Sequence, residues 1–417
     1  MLIREKSTLA VVCIAAFLIA CSVNSESNAQ ITATPGPIVV PAQPQATVPA
    51  TSPTVEATAA PPPTRTPQIA AQSNLIGPET YPENVNPLTG LTVEDPALLN
   101  RRPIIHKISN APALVRPQAG IGQADIVYEH YAEGGLTRFS AVYYGQSPQR
   151  VGSVRSARLI DTELPAMYRG ILVFSGGSTG VEERIYGSVA LGIDDERLAT
   201  GMPVLGPSDF AERAYKGVLY GFPYYFRDET IAVPHNLFAN PQAIWELAAA
   251  DGINTRPELR GMAFSPDAPA GETAPANSID IRYRATRAQW FYDAERGVYT
   301  RMSDGQPHFD ATTQQQVSAE NVVVIYADHY FTDIVESEWQ GNKSYSIEIK
   351  VWFEGDAVLF RDGRRYDARW IRPTRESMIS LTRADGTPLP FKPGQTWFQL
   401  VRLPEQMETE SEWVRSE

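Results

Sequence analysis

Residues 124–144 read Ala-Asp-Ile-Val-Tyr-Glu-His-Tyr-Ala-Glu-Gly-Gly-Leu-Thr-Arg-Phe-Ser-Ala-Val-Tyr-Tyr. Two runs rich in β-branched and aromatic residues, Asp125 to Tyr131 and Arg138 to Tyr144, both read as strands. Pro103 to Ile108 and Ile171 to Phe174 read the same way. Between them Ala157, Ile160, Leu164, Met167 and Tyr168 recur at helical spacing, so a helix is expected over 156–169, strained by Pro165. Asn240-Pro241 ahead of Ile244, Leu247 and Ala248 predicts a further helix with proline in its first turn. Residues 84–260 are therefore expected to form a mixed α/β domain.

Residues 261–278 contain Pro266, Pro269, Pro275 and Gly271 and mark a boundary. From 279 to 417, short runs with Trp, Tyr and Phe alternate with turn signals such as Asp304-Gly305, Gly341-Asn342, Asp362-Gly363 and Pro393-Gly394. That pattern predicts a smaller, mostly antiparallel β domain. The expected fold class is α+β, with room for one core or two.

Upstream the composition changes. Residues 22–80 are rich in Pro, Thr, Ala, Gln and Val and poor in large apolar side chains, so they read as a disordered tether. Extended at about 3.1 Å per residue, the stretch would reach roughly 180 Å. Residues 1–21 place Arg4 and Lys6 before an apolar run, Thr8 to Ala20, and close on Leu18-Ile19-Ala20-Cys21. The run is about 13 residues, against the ~20 of a membrane-spanning helix. It reads as a secretory signal ending in a bacterial lipobox, with Cys21 as the lipidated residue. Cys13 and Cys21 are the two cysteines, so the processed chain is expected to hold no internal disulfide. The net charge of −12, from 36 basic and 48 acidic residues, argues against non-specific nucleic-acid binding. The expected location is extracytoplasmic, on a bacterial cell membrane through the lipid.

Three constellations carry possible chemistry. Asp125, Glu129 and Glu133 lie in one short stretch with Arg116 and Arg138. On a strand Asp125 and Glu129 would stand about 13 Å apart, too far for the roughly 5–9.5 Å of a glycosidase pair, so ion pairing is the favoured role. Gly152 to Arg158 offers Ser156 as a helix cap beside Arg155 and Arg158, a combination suited to phosphate or carboxylate. Gly176-Gly177-Ser178-Thr179-Gly180 follows a strand and precedes a helical stretch, as in a nucleophile elbow. Asp194, Asp195 and Asp209 follow it, and His235 completes the order of a serine hydrolase. None of the five histidines has zinc spacing, and no motif calls for a metal or cofactor.

The chain resembles the YerB family of bacterial lipoproteins, defined by domains of unknown function. The resemblance rests on Asn86 to Leu91, Arg116 to Gly120, Ala124 to Glu129, Ala132 to Phe139, Gly152 to Arg158 and Pro234 to Leu237, and on His308 to Asp310 and Pro393 to Trp397 downstream. It implies the two-domain layout and the surface location and brings no activity with it. The family pattern also omits the Gly180 end of the elbow. The favoured function is therefore binding of an envelope component, an anionic or glycan ligand such as a cell-wall polymer, in a cleft lined by Arg155, Arg158, Glu129, Glu133, Arg138 and His235. A serine hydrolase using Ser178 and His235, and a scaffold for another envelope protein, are the alternatives. The hydrolase requires Ser178 and His235 within hydrogen-bond reach; the scaffold requires an exposed apolar patch.

Overall fold

The computed structural model describes residues 74–187, 211–217 and 219–417. The signal, Cys21, nearly all of the tether and Asp194, Asp195 and Asp209 lie outside the described residues. From the first half come strands β1 (Ile104–Ser109), β2 (Ile126–Tyr131), β3 (Thr137–Tyr143), β4 (Ile171–Phe174) and β5 (Ala214–Lys216). From the second half come β6 (Ser278–Tyr283), β7 (Thr286–Asp293), β8 (Val298–Ser303), β9 (Asn321–Ala327), β10 (His329–Trp339) and β11 (Asn342–Ile349). They are followed by β12 (Phe353–Arg361), β13 (Arg364–Arg372), β14 (Ser380–Thr382), β15 (Thr396–Arg402) and β16 (Trp413–Ser416). The longer helices are α2 (Thr179–Tyr186) and α3 (Pro241–Ala250), after a single turn α1 (Leu164–Met167). The architecture is strand-rich α+β, as expected.

The strands of both halves share one mixed sheet, in the order β14-β13-β12-β9-β15-β2-β3-β1-β4-β5. β2 and β3 pair antiparallel across the Gly134-Gly135 turn. On its other edge β2 pairs parallel with β15, from Ile126 opposite Thr396 to Glu129 opposite Gln399. β1, β2 and β15 are buried almost throughout, so both faces of the sheet are covered here. On one face lies the antiparallel sheet of β8, β7, β6 and β16. The seam between them is aromatic: Trp290 meets Trp397 with ring centroids 5.1 Å apart, and Trp397 meets Phe139 at 5.4 Å. The residues on either side of 261–278 contribute to one hydrophobic core, and the described residues cluster as one compact unit.

The helix expected over 156–169 is absent. Residues 155–158 run extended, with Arg155 N–H donating to Lys107 O at 2.9 Å and Ala157 N–H to Gly176 O at 2.8 Å. A 3-10 turn, Leu159–Thr162, follows, and then α1 with Pro165 in its first turn. Proline has no N–H and its ring blocks the carbonyl four residues back, so a continuous helix cannot pass through it. Ser156 consequently caps no helix; the short 3-10 turn starts instead after Arg158, its N-cap residue. The helix at Pro241 forms as expected, with Asn240 Oδ1 accepting from Ala243 N at 3.3 Å.

Candidate functional site

The site forms where the 155–158 segment crosses the ends of β1 and β3. Strand alternation puts Lys107 on β1 opposite Ser140 on β3, and His130 on β2 opposite Arg138. Lys107, His130 and Asp161 are fully buried charged or titratable groups, so each needs partners. Lys107 Nζ pairs with Asp161 at 2.8 Å and donates to His130 Nε2 at 2.6 Å and Ser140 Oγ at 3.1 Å. An ammonium only donates, so His130 carries its proton on Nδ1, which donates to Tyr131 O at 2.9 Å. Burial holds Lys107 down at about 8, against the pull of Asp161. This network sets the two arginines above it: Asp161 Oδ2 accepts Arg158 N–H at 2.7 Å, and Lys107 O accepts Arg155 N–H.

Arg158, 8% exposed, makes an ion pair with Glu133 and reaches Glu336 Oε2 at 3.4 Å. Arg138 donates to Ser156 O at 2.7 Å and to Glu133 Oε2 at 3.4 Å. Burial, reinforced by Arg158, lowers Arg138 to about 10. Burial alone would raise the Glu133 carboxyl, but the Arg158 contact and the charge of Arg138 outweigh it and hold it below its usual range. Three guanidiniums thus face two carboxylates. Arg155 is the one without a carboxylate within 4.0 Å among the described residues. Its Nε donates to Ser109 Oγ at 3.2 Å and its Nη2 to His235 Nδ1 at 2.8 Å. Because Arg155 cannot accept, His235 Nδ1 is the acceptor and the ring proton sits on Nε2. Burial and the Arg155 charge both lower the His235 pKa, so the ring is neutral near pH 7.

The structure thus brings together Arg138, Arg155, Arg158, Glu133 and His235, but not Glu129. Alternation turns Glu129 to the opposite face of β2, under the second sheet. There it accepts from Thr137 Oγ1 at 2.8 Å and pairs with Arg301 at 2.7 Å, both side chains fully buried. Asp125 is likewise structural, accepting from Asn86 Nδ2 at 2.8 Å and Gly145 N at 3.1 Å. Ser178 precedes α2 but makes no cap bond, and its Oγ is buried without a partner among the described residues. His235 is engaged with Arg155 instead, so the serine–histidine contact a hydrolase requires is missing. Glu336 and Ser109 escaped sequence reading: Glu336 arrives from the distant β10, and nothing local marks it. Lys107 had a signal, a lysine inside the apolar run Ile104 to Ser109.

Two family models match the chain. Residues 88–254 match "Protein of unknown function (DUF3048) N-terminal domain" and residues 279–398 match the corresponding C-terminal domain. Fold and matches define the class: the chain belongs to this family, as the sequence resemblance implied. A Bacillus subtilis (strain 168) protein named "Putative lipoprotein YerB" is 27% identical over 340 residues, 80% of this chain and 91% of that one. The crystal structure of the YerB protein from Bacillus subtilis is similar at a TM-score of 0.61 and 26% identity, covering 80% of this chain and 99% of that chain. Among the described residues no helix is long and apolar enough to cross a membrane.

Proposed function

We propose that the protein is a lipid-anchored extracytoplasmic binding protein that captures an anionic group of an envelope component at Arg155 and His235. The lipid anchor at Cys21 is supported by the lipobox and by the name of the Bacillus relative. The binding site is supported by one observation above all: Arg155 is a half-buried guanidinium, fixed by Ser109 and His235, with no carboxylate of its own. A guanidinium so placed offers unspent N–H donors, and the Nε2–H of His235 adds another beside it. A phosphate or carboxylate oxygen is the acceptor that such donors fit. Glu133, Arg138 and Arg158 satisfy one another and serve to hold the 155–158 segment in place.

The test is thermal unfolding of the full chain against phosphate-bearing polymers, carboxylate-bearing cell-wall fragments and neutral glycans. A ligand at a hundred times its dissociation constant should stabilise the fold by about 2.7 kcal/mol. Stabilisation by the anionic compounds alone, abolished in Arg155→Gln, is the expected result; stabilisation that survives Arg155→Gln would sink the reading. Docking of another envelope protein keeps support from one feature, the exposed apolar face of the β10–β11 hairpin, where Phe331 is 60% and Trp339 75% exposed.

A further inference from the structure

A hollow of about 390 Å³ opens between the Gly134-Gly135 turn and the β10–β11 hairpin, and neither Arg155 nor His235 lines it. Its size falls within the roughly 300–1,000 Å³ of small-molecule sites. One wall is apolar: Phe331 and Ile347 are cross-strand partners, and Tyr131 closes the side. The other wall holds Arg284 and Arg402. The turn leaves the space open because a Cβ at Gly134 would meet nothing within 4 Å, while one at Gly135 would stand 2.7 Å from Arg284 Cβ.

The hydrogen-bond inventory of this lining is one-sided. Arg402 donates through Nη1 to Glu412 at 3.3 Å, but its Nε–H is buried without a partner. Arg284 has a loose contact with Glu408 at 3.5 Å, with both side chains about half exposed, which leaves most of its donors to solvent. The Tyr131 hydroxyl is already spent: it donates to Glu412 and accepts from Arg284 N at 3.2 Å. No lining side chain has an uncommitted acceptor. Donors of this kind are accepted more strongly by a charged oxygen than by a neutral hydroxyl. From this juxtaposition we infer that the hollow binds an amphipathic anion, a carboxylate or phosphate monoester carried on an apolar ring or chain. The anionic oxygens take the guanidiniums of Arg284 and Arg402; the apolar body lies on Phe331 and Ile347.

Calorimetric titration of the full chain tests this with four probes. Phenyl phosphate and 4-phenylbutyrate carry both halves of the proposed ligand, inorganic phosphate only the anion, and benzyl alcohol only the apolar body. Saturable binding of one or both amphipathic probes, about tenfold or more tighter than either half, is expected, and which of the two binds tells phosphate from carboxylate. Arg284→Gln and Phe331→Ser should each weaken it about tenfold and leave the melting temperature unchanged, since both side chains are largely exposed. Arg155→Gln should leave it unchanged, which separates this hollow from the site proposed above. Equal binding of all four probes, no saturable binding of any, or binding lost in Arg155→Gln but kept in Arg284→Gln would each overturn the inference.

Discussion

Arg155 and Arg158 are three positions apart, yet the fold gives them different tasks. Arg158 is spent on Glu133 and Glu336, whereas Arg155 is held only by neutral partners. Residue type alone makes both candidates for an anion site; the carboxylates that reach them decide which guanidinium is already paired. Four histidines show the same dependence on surroundings. Burial lowers His106 to about 3 and His329 to about 4, and it keeps His130 and His308 well below their usual range. All four are neutral in the folded state and take up protons below their ordinary value of 6.5 once unfolded. The unfolded state therefore binds more protons, and the stability these residues provide is complete above about pH 6.5 and lost as pH falls below it. Each contributes about 1.4 kcal/mol per pH unit across that window. The urea midpoint should accordingly be lower at pH 5 than at pH 7.5, and equal midpoints would refute this assignment.

At the scale of elements, the strands are legible because alternation and β-branched composition are local signals. The failed helix at 156–169 shows where the same reading breaks down. Its apolar spacing suits a helix, but the apolar residues fill the core from an extended segment, a 3-10 turn and a short helix, and Pro165 fixes that division. The Gly134-Gly135 turn separates two roles of glycine. Both residues have positive φ, 69° and 74°, so alanine at either costs about 1–2 kcal/mol in backbone conformation. Only at Gly135 does the added carbon also strike Arg284. Gly135→Ala should therefore destabilise the protein more than Gly134→Ala, read as the difference between their urea midpoints. Equal midpoints would show that Arg284 gives way freely.

At the scale of the whole molecule, Glu129 and Arg301 form a buried ion pair that joins the two halves of the chain. His308 extends the link, accepting from Arg301 at Nδ1 and donating from Nε2 to Gln118 Oε1 at 2.6 Å. Removing one partner strands the other charge without solvent, at a cost of about 3–5 kcal/mol. Glu129→Gln should lose that much. Because β2 and β15 lie side by side in one sheet, the loss should appear in a single transition seen alike by far-ultraviolet circular dichroism and tryptophan fluorescence. Two separated transitions would mean that the halves fold independently after all.

By itself the sequence determined the strand content, the α+β class, the family and the expectation of an anchor at Cys21. These rest on short patterns of side-chain type, which survive without knowledge of what packs against them. Only the tertiary structure decided that the two halves share a sheet, that Glu129 turns away from the arginines, and that Glu336 comes to meet them. The parallel pairing of Ile126 with Thr396 joins positions far apart in the chain, and such a pairing leaves no local mark in either strand. One residue of register then assigns each side chain to one face or the other, and that assignment separates the ion pair beneath the second sheet from the site above it.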